Sequence, residues 1–378
     1  MKVILDVDSL APPLTGIGRY TLALARGLQR SERVENVKFF SLGRWVDDVE
    51  GLLHQGTSIS TIRRHVPFRR FARWGYRCLS EWRFRQQIAQ VKDYVYHAPN
   101  YRLLSFPGKS VVTIHDLSFI RHPEFHPKER ALFWQREVGG VVARAGHVIT
   151  DSEFQRAEII QLLGVDADKV SAVHLGVDPS FHWYAEDACN LVMEKYGLRY
   201  KSYCLVVATV EPRKNFVRLL EAFERLPVSM RKAFPLAIVG AKGWLSDDIH
   251  AAIVHLVEKG QAVRLGYVEE FDLPKLYAAA TMFIYPSLYE GFGLPVLEAM
   301  ACGTAVLSSN TSSIPEVAGD ACYLVDPYSV DEIADGWRIL LDNAARRTTF
   351  EVAGLQRAGL FSWDRCIDQT INVYSRLP

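Results

Sequence analysis

Short runs rich in valine, isoleucine and leucine alternate with longer amphipathic stretches along almost the whole chain. Runs at 2–8, 37–42, 93–97, 110–115, 146–150 and 170–174 read as strands, with helical spacing near 17–30, 80–92, 127–145 and 152–163. The pattern loosens between 176 and 200. It resumes with strands near 203–208, 235–240, 262–266, 281–285, 304–308 and 321–325, and helices near 215–226, 247–258, 272–280, 295–302 and 330–343. Strands apolar on both faces, with helices between them, predict parallel sheets covered on both sides. The pattern therefore predicts two doubly wound α/β domains joined by a linker around 178–200. In tandem such domains place the carboxyl ends of two sheets across a cleft, where open α/β sheets bind ligands.

Composition narrows the class. A chain of 378 residues, 49% apolar and 23% charged, is globular and long enough for two cores. Lys and Arg number 44 against 43 Asp and Glu, so the global charge points to no partner. The six cysteines form no C-x-x-C pair, which argues against a zinc site or a disulfide framework and fits a reducing compartment. Residues 1–7 read directly as a buried strand, without the pattern of a signal peptide. No apolar run approaches the ~20 residues that span a bilayer. The expectation is a soluble, cytoplasmic protein whose membrane contact, if any, is peripheral.

The charge is unevenly spread. Residues 62–87 hold eight arginines and one glutamate, interleaved with Phe68, Phe71, Trp74, Tyr76, Trp82 and Phe84. Such a segment, with Arg69, Arg70, Arg73 and Trp74 at its centre, suits an anionic membrane surface with rings at headgroup level. No nucleic-acid-binding module accompanies it, so nucleic acid is not expected as a partner.

Two glycine loops carry candidate chemistry. Strand 2–8 runs into Thr15-Gly16-Ile17-Gly18-Arg19-Tyr20, where the glycines let backbone amides approach an anion at a helix N-terminus. Thr21 replaces the third glycine of the dinucleotide fingerprint, and strand 37–42 ends without the acid that holds a nicotinamide ribose, which disfavours a dehydrogenase. Asp6-Val7-Asp8 spells D-x-D but sits before a turn, so it reads as a turn or cleft feature and no metal is expected. His97 ends another strand, where it either lines the acceptor side or, as a lone strand-end histidine more often does, serves the structure.

The second loop is Pro286-Ser287-Leu288-Tyr289-Glu290-Gly291-Phe292-Gly293-Leu294-Pro295-Val296-Leu297-Glu298. Pro295 is placed for the first turn of a helix, which predicts free amide donors over Gly293–Val296, suited to a diphosphate. Glu290 on the loop and Glu298 one turn inside the helix are able to accept hydrogen bonds from hydroxyls. After the first strand of domain two comes Glu211-Pro212-Arg213-Lys214-Asn215. Two cations at a strand end suit a pyrophosphate, Lys214 as a compact charge and Arg213 as a forked donor.

Glu211–Asn215, the Glu290-x7-Glu298 string and Thr304–Pro315 followed by Glu316 resemble glycosyltransferase family 4, retaining enzymes of the GT-B fold. The resemblance covers nearly the whole chain. It includes Gly16-Ile17-Gly18, His115-Asp116, Asp151-Ser152-Glu153, His174–Asp178 and Trp363. It implies two Rossmann-like domains facing a cleft, 1–178 plus 363–378 on the acceptor side and 179–362 holding the donor. It also implies that Arg213 and Lys214 hold the diphosphate, Glu290 faces the donor sugar and Glu298 the ribose. His115 would lie near the transferred sugar, and the Gly16–Gly18 backbone near phosphate or sugar. Thr209 departs from the family, whose members often carry arginine there; Arg213 or Arg19 is left to supply that charge. The form of the motifs resembles polysaccharide mannosyltransferases, implying a GDP-mannose donor with no cofactor, and the basic segment 62–87, in the domain that holds the acceptor in this fold, implies a lipid-linked acceptor. A GT-B epimerase or hydrolase and a non-enzymatic binder are the competing readings.

Overall fold

A computed structural model of the chain describes residues 1–10, 14–54, 79–88 and 91–377. The chain divides into two units: residues 1–117, 134–176 and 363–378 in the first, and 118–133 with 177–362 in the second.

The first unit is built on a seven-stranded sheet of β1 (Lys2–Asp6), β2 (Asn36–Ser41), β3 (Arg44–Val46), β4 (Val95–Ala98), β5 (Ser110–Ile114), β6 (His147–Thr150) and β7 (Val170–Ala172). The strand order is β3-β2-β1-β4-β5-β6-β7, parallel except for β3. Val3, Ile4, Leu5, Val111 and Val112 are fully buried, as strands covered on both faces require. β3 is missing from the sequence pattern because three residues at a sheet edge carry no periodicity. It pairs with β2 through Leu42 (φ 52) and Gly43 (φ 79), the left-handed pair that matches strand twist. Asp8 holds that turn: its Oδ1 accepts from Leu42 N at 2.7 Å and Ser41 Oγ at 3.0 Å. The second acid of the D-x-D is thus a turn clamp.

The helix Trp363–Ser375 closes this unit against the helix Gly16–Arg30. A Cβ on Gly27 would collide with Ile367, so glycine is what allows the two to approach. Arg33 donates to Asn372 Oδ1 at 2.8 Å, and Tyr374 OH lies 2.6 Å from His97 Nδ1. His97 is fully buried, and burial pushes its pKa down to about 3, so it is a neutral core residue.

Arg69, Arg70, Arg73 and Trp74 lie outside the described residues. Of the same segment's described part, Trp82 is 58% exposed, whereas Phe84 is fully buried, 4.8 Å from Phe40 and 4.9 Å from Tyr96 between ring centroids. The expectation that all these aromatics face outward is corrected for Phe84, which the core claims for its area.

The second unit carries a parallel six-stranded sheet of β8 (Cys204–Val207), β9 (Leu236–Val239), β10 (Ala262–Gly266), β11 (Met282–Tyr285), β12 (Val306–Ser309) and β13 (Tyr323–Val325), ordered β10-β9-β8-β11-β12-β13. The helix Phe216–Arg225 buries Phe216, Leu219, Leu220 and Phe223, one stripe at helical spacing. Phe223 packs 5.1 Å from the ring of Trp337, the largest fully buried side chain among the described residues.

Two expectations change here. Residues 118–133 go with the second unit: Trp244 Nε1 donates to Phe125 O at 2.6 Å, and Arg130 lies over the Trp244 ring. The expected linker contains a helix, Glu186–Tyr196, which buries Cys189, Val192 and Met193. Its stripe is only three residues long and Leu191 beside it is 82% exposed, which hides the period in the sequence.

Candidate donor site in the second unit

In the second sheet the chain winds outward from β8 through β9 to β10, then returns to β8's other side as β11. Neighbouring strands whose connections leave in opposite directions open a crevice at their carboxyl ends. The loops after β8 and β11 carry Glu211–Asn215 and Pro286–Gly293, so strand order alone brings the two motifs together.

Local geometry fixes the first loop. Pro212–Lys214 forms one 3-10 turn and Asn215 follows at φ 59, a conformation asparagine tolerates better than most residues. Asn215 Nδ2 donates to Pro286 O (2.9 Å) and Pro327 O (2.7 Å), tying three segments. Arg213 O accepts from Leu288 N at 2.9 Å and Ser287 Oγ at 3.1 Å. In the second loop Gly293 has φ 105, and a Cβ there would lie 2.6 Å from Ile314 Cδ1. Only glycine suits that position.

Glu290 is the centre of the site and is 5% exposed. Its Oε1 accepts from Lys214 Nζ (2.6 Å), Tyr285 OH (2.9 Å) and Ser287 Oγ (2.5 Å), and its Oε2 from Arg213 NH1 (3.0 Å). Arg213 also pairs with Glu211 at 3.1 Å and donates to Tyr289 O. Burial opposes the charge on Glu290, but Arg213, Lys214 and the hydrogen bonds prevail and hold its pKa down at about 2. Burial and the charge of Arg213 lower the pKa of Lys214 against the pull of Glu290. Two cations and two acids balance, so no charge is buried unpaired.

The helix Leu294–Ala301 begins at the end of this loop with Pro295 in its first turn. Val296 N donates to Gly293 O at 3.0 Å, so this amide is taken, contrary to expectation. Proline has no N–H, which leaves Gly293 N and Leu294 N as the donors without an acceptor among the described residues. Glu298 is 5% exposed and accepts from Tyr277 OH at 3.0 Å; Glu290 and Glu298 therefore do not share these partners. Thr209, at the departure from the family pattern, is exposed.

The remaining candidates belong to the first unit. His115 Nδ1 lies 2.7 Å from Asp151 Oδ2, and Nε2 lies 2.8 Å from Pro99 O. A carbonyl only accepts, so Nε2 carries a proton. Burial lowers the pKa of His115, but Asp151 outweighs it and the net direction is upward; burial raises that of Asp151 too. At 2.7 Å the two groups titrate as a coupled pair. Gly16 opens its helix exposed. Gly18 N donates to Thr15 Oγ1 at 3.3 Å, a helix cap, so the expected free amide is occupied. What requires glycine at 18 is space: a Cβ would lie 3.2 Å from Ser9 O.

Sequence reasoning missed the residues that hold Glu290. Ser312 Oγ accepts from Glu290 N at 3.0 Å, and Ser313 Oγ donates to Glu290 O at 2.9 Å. Ser312 has φ 54, a strained value for serine. The motif Ser287-x-x-Glu290 and the serine run at 312–313 were the available signals.

The chain is similar to known proteins along its whole length. The model for "Glycosyl transferases group 1" matches residues 193–357, and that for "Glycosyltransferase Family 4" matches 14–181. The O-antigen chain mannosyltransferase B of Escherichia coli is 37% identical over 383 residues, covering all of both chains. The serotype-specific mannosyltransferase WbdA of Escherichia coli is 26% identical over the whole of this chain and 48% of its own. Among solved structures, Anabaena HepE in complex with UDP and glucose superposes over all of both chains with TM-score 0.77 at 19% identity. WaaG, involved in lipopolysaccharide biosynthesis, does so at 0.73 and 16%. With a full-length relative at that identity, both family models matched and the fold shared, the chain belongs to the family 4 glycosyltransferases of the GT-B fold.

Proposed function

We propose that the enzyme transfers mannose from GDP-mannose, with retention of configuration, to a lipid-linked oligosaccharide in O-antigen-type polysaccharide synthesis. The observation that carries the donor reading is the cluster around Glu290. Lys214 has three N–H donors; Glu290 and Tyr285 accept two of them, and no described residue accepts the third. In this reading that donor, Arg213 and the amides of Gly293 and Leu294 neutralise the departing diphosphate, Glu290 Oε2 takes a sugar hydroxyl and Glu298 the ribose. Charge develops on the leaving group through an oxocarbenium-like state, and preorganised donors stabilise it. No side chain serves as nucleophile; leaving-group oxygen helps deprotonate the acceptor. The scheme uses no metal. The mannosyltransferase relatives support the sugar, and favour transfer over epimerisation, hydrolysis or binding alone.

Thermal-shift measurements with GDP-mannose and with UDP-, ADP- and dTDP-sugars, all in EDTA, test the donor. A ligand at 100 times its Kd stabilises by about 2.7 kcal/mol, and GDP-mannose is expected to give the largest shift. A larger shift with another nucleotide sugar would replace the donor assignment, and none at all would remove the site.

The acceptor reading follows from the basic aromatic segment 62–87. Among the described residues no helix is long and apolar enough to cross a membrane. We propose peripheral binding at an anionic cytoplasmic face, each arginine near the surface contributing about 1 kcal/mol. In liposome flotation with anionic lipid, the protein is expected to float and a variant with Arg69, Arg70 and Arg73 replaced by alanine to float less. Equal partitioning of the two would reject this placement.

A further inference from the structure

Tyr285 ends β11 and is 2% exposed, so its hydroxyl has to be satisfied inside the protein. It is satisfied twice over by charged groups. It accepts from Lys214 Nζ at 2.7 Å and donates to Glu290 Oε1 at 2.9 Å. The ammonium also lies over the phenol ring, 5.2 Å from its centroid. Burial, with the negative charge of Glu290, holds the phenol well above its ordinary pKa, so it keeps the proton it donates.

An ammonium on a flexible stem rotates freely about its last bond unless acceptors hold it. One acceptor, Glu290 Oε1 at 2.6 Å, holds one N–H but leaves the ammonium and its stem free to pivot about that hydrogen bond. A second acceptor on another element fixes a second donor, and tetrahedral geometry then sets the direction of the third. We infer that Tyr285 is a positioning residue for glycosyl transfer, its hydroxyl locking the Lys214 ammonium so that the third N–H is committed to the leaving diphosphate. The inference rests on the reading of Lys214 as a diphosphate ligand.

The charged and titratable groups facing the ammonium are Arg213 and Glu211 from the loop after β8, Glu290 from the loop after β11, and Tyr285 itself. A neutral acceptor favours the charged form of an amine. Without the hydroxyl, burial and Arg213 depress Lys214 further, and the alkaline limb of turnover moves to lower pH.

Tyr285→Phe keeps the ring and removes one oxygen. Its kcat is expected to fall about tenfold, the scale of one hydrogen bond to a charged group, with the KM for donor nearly unchanged and the alkaline limb displaced to lower pH. Tyr203→Phe is the comparator: it removes a buried hydroxyl bonded to Leu276 O at 2.5 Å, away from Lys214, and its alkaline limb stays where the parent's lies. Thermal melts of both variants register any loss of folding. Wild-type kcat and limb in Tyr285→Phe, with turnover lost in Lys214→Ala, would overturn the positioning role and leave the diphosphate reading standing. A loss of turnover in Tyr285→Phe with an unmoved limb, matched by Tyr203→Phe, would also overturn it, as a structural effect. Full turnover in Lys214→Ala would instead remove the reading beneath it.

Discussion

Lys214→Ala is expected to lower turnover by roughly 10²–10³-fold, the usual cost of losing one donor aimed at developing charge. The protein should remain folded, because Glu290 keeps Arg213 at 3.0 Å, Ser287 and Tyr285 when the lysine is gone. Loss of function in a protein that still folds is therefore the signature, read as kcat for mannosyl transfer or for donor hydrolysis beside a melt that remains one cooperative transition. On the proposed reading the diphosphate departs in the rate-determining event, and the effect is then expected mainly in kcat and less in KM. Turnover within a factor of a few of the parent would mean that the departing charge is stabilised elsewhere.

Glu290→Gln should be the more damaging change, because it affects stability as well as chemistry. Glutamine keeps the shape but leaves Arg213 and Lys214, both largely buried, with Glu211 as the remaining acid of the four-charge cluster. Removing one partner of a buried ion pair typically costs about 3–5 kcal/mol. The pH dependence gives a second check. The folded pKa of Glu290, about 2, lies below the ordinary glutamate value. Its stabilisation is therefore complete above the ordinary value and is lost as pH falls toward 2. Urea unfolding should show the parent more stable than the variant at neutral pH, and the gap closing in that acid window. Equal stability of the two at neutral pH would show that the ion cluster contributes nothing net.

The sheets were legible because their strands are apolar on both faces, a pattern that survives without knowledge of neighbours. Elements whose period is too short to register were not, such as β3 and the helix Glu186–Tyr196. At the site, the two motifs were readable as strings but their pairing was not. The two acids of Glu290-x7-Glu298 stand in one string, yet Glu290 engages cations 76 and 77 residues away, and Glu298 engages Tyr277. That pairing depends on β8 lying beside β11, an adjacency that skips two intervening strands. His115 came from the family resemblance, but Asp151, 36 residues on and at the end of the next strand, became its partner only through the sheet.

The helix Trp363–Ser375 packs on Gly16–Arg30, although the whole of the second unit's sheet is encoded between them. A chain made from its amino end therefore presents the two units out of step. The second has all its strands before the first receives its closing helix. Until then the groove around Gly27 that Ile367 fills stays open, and the earliest-made part of the protein is the last to be sealed.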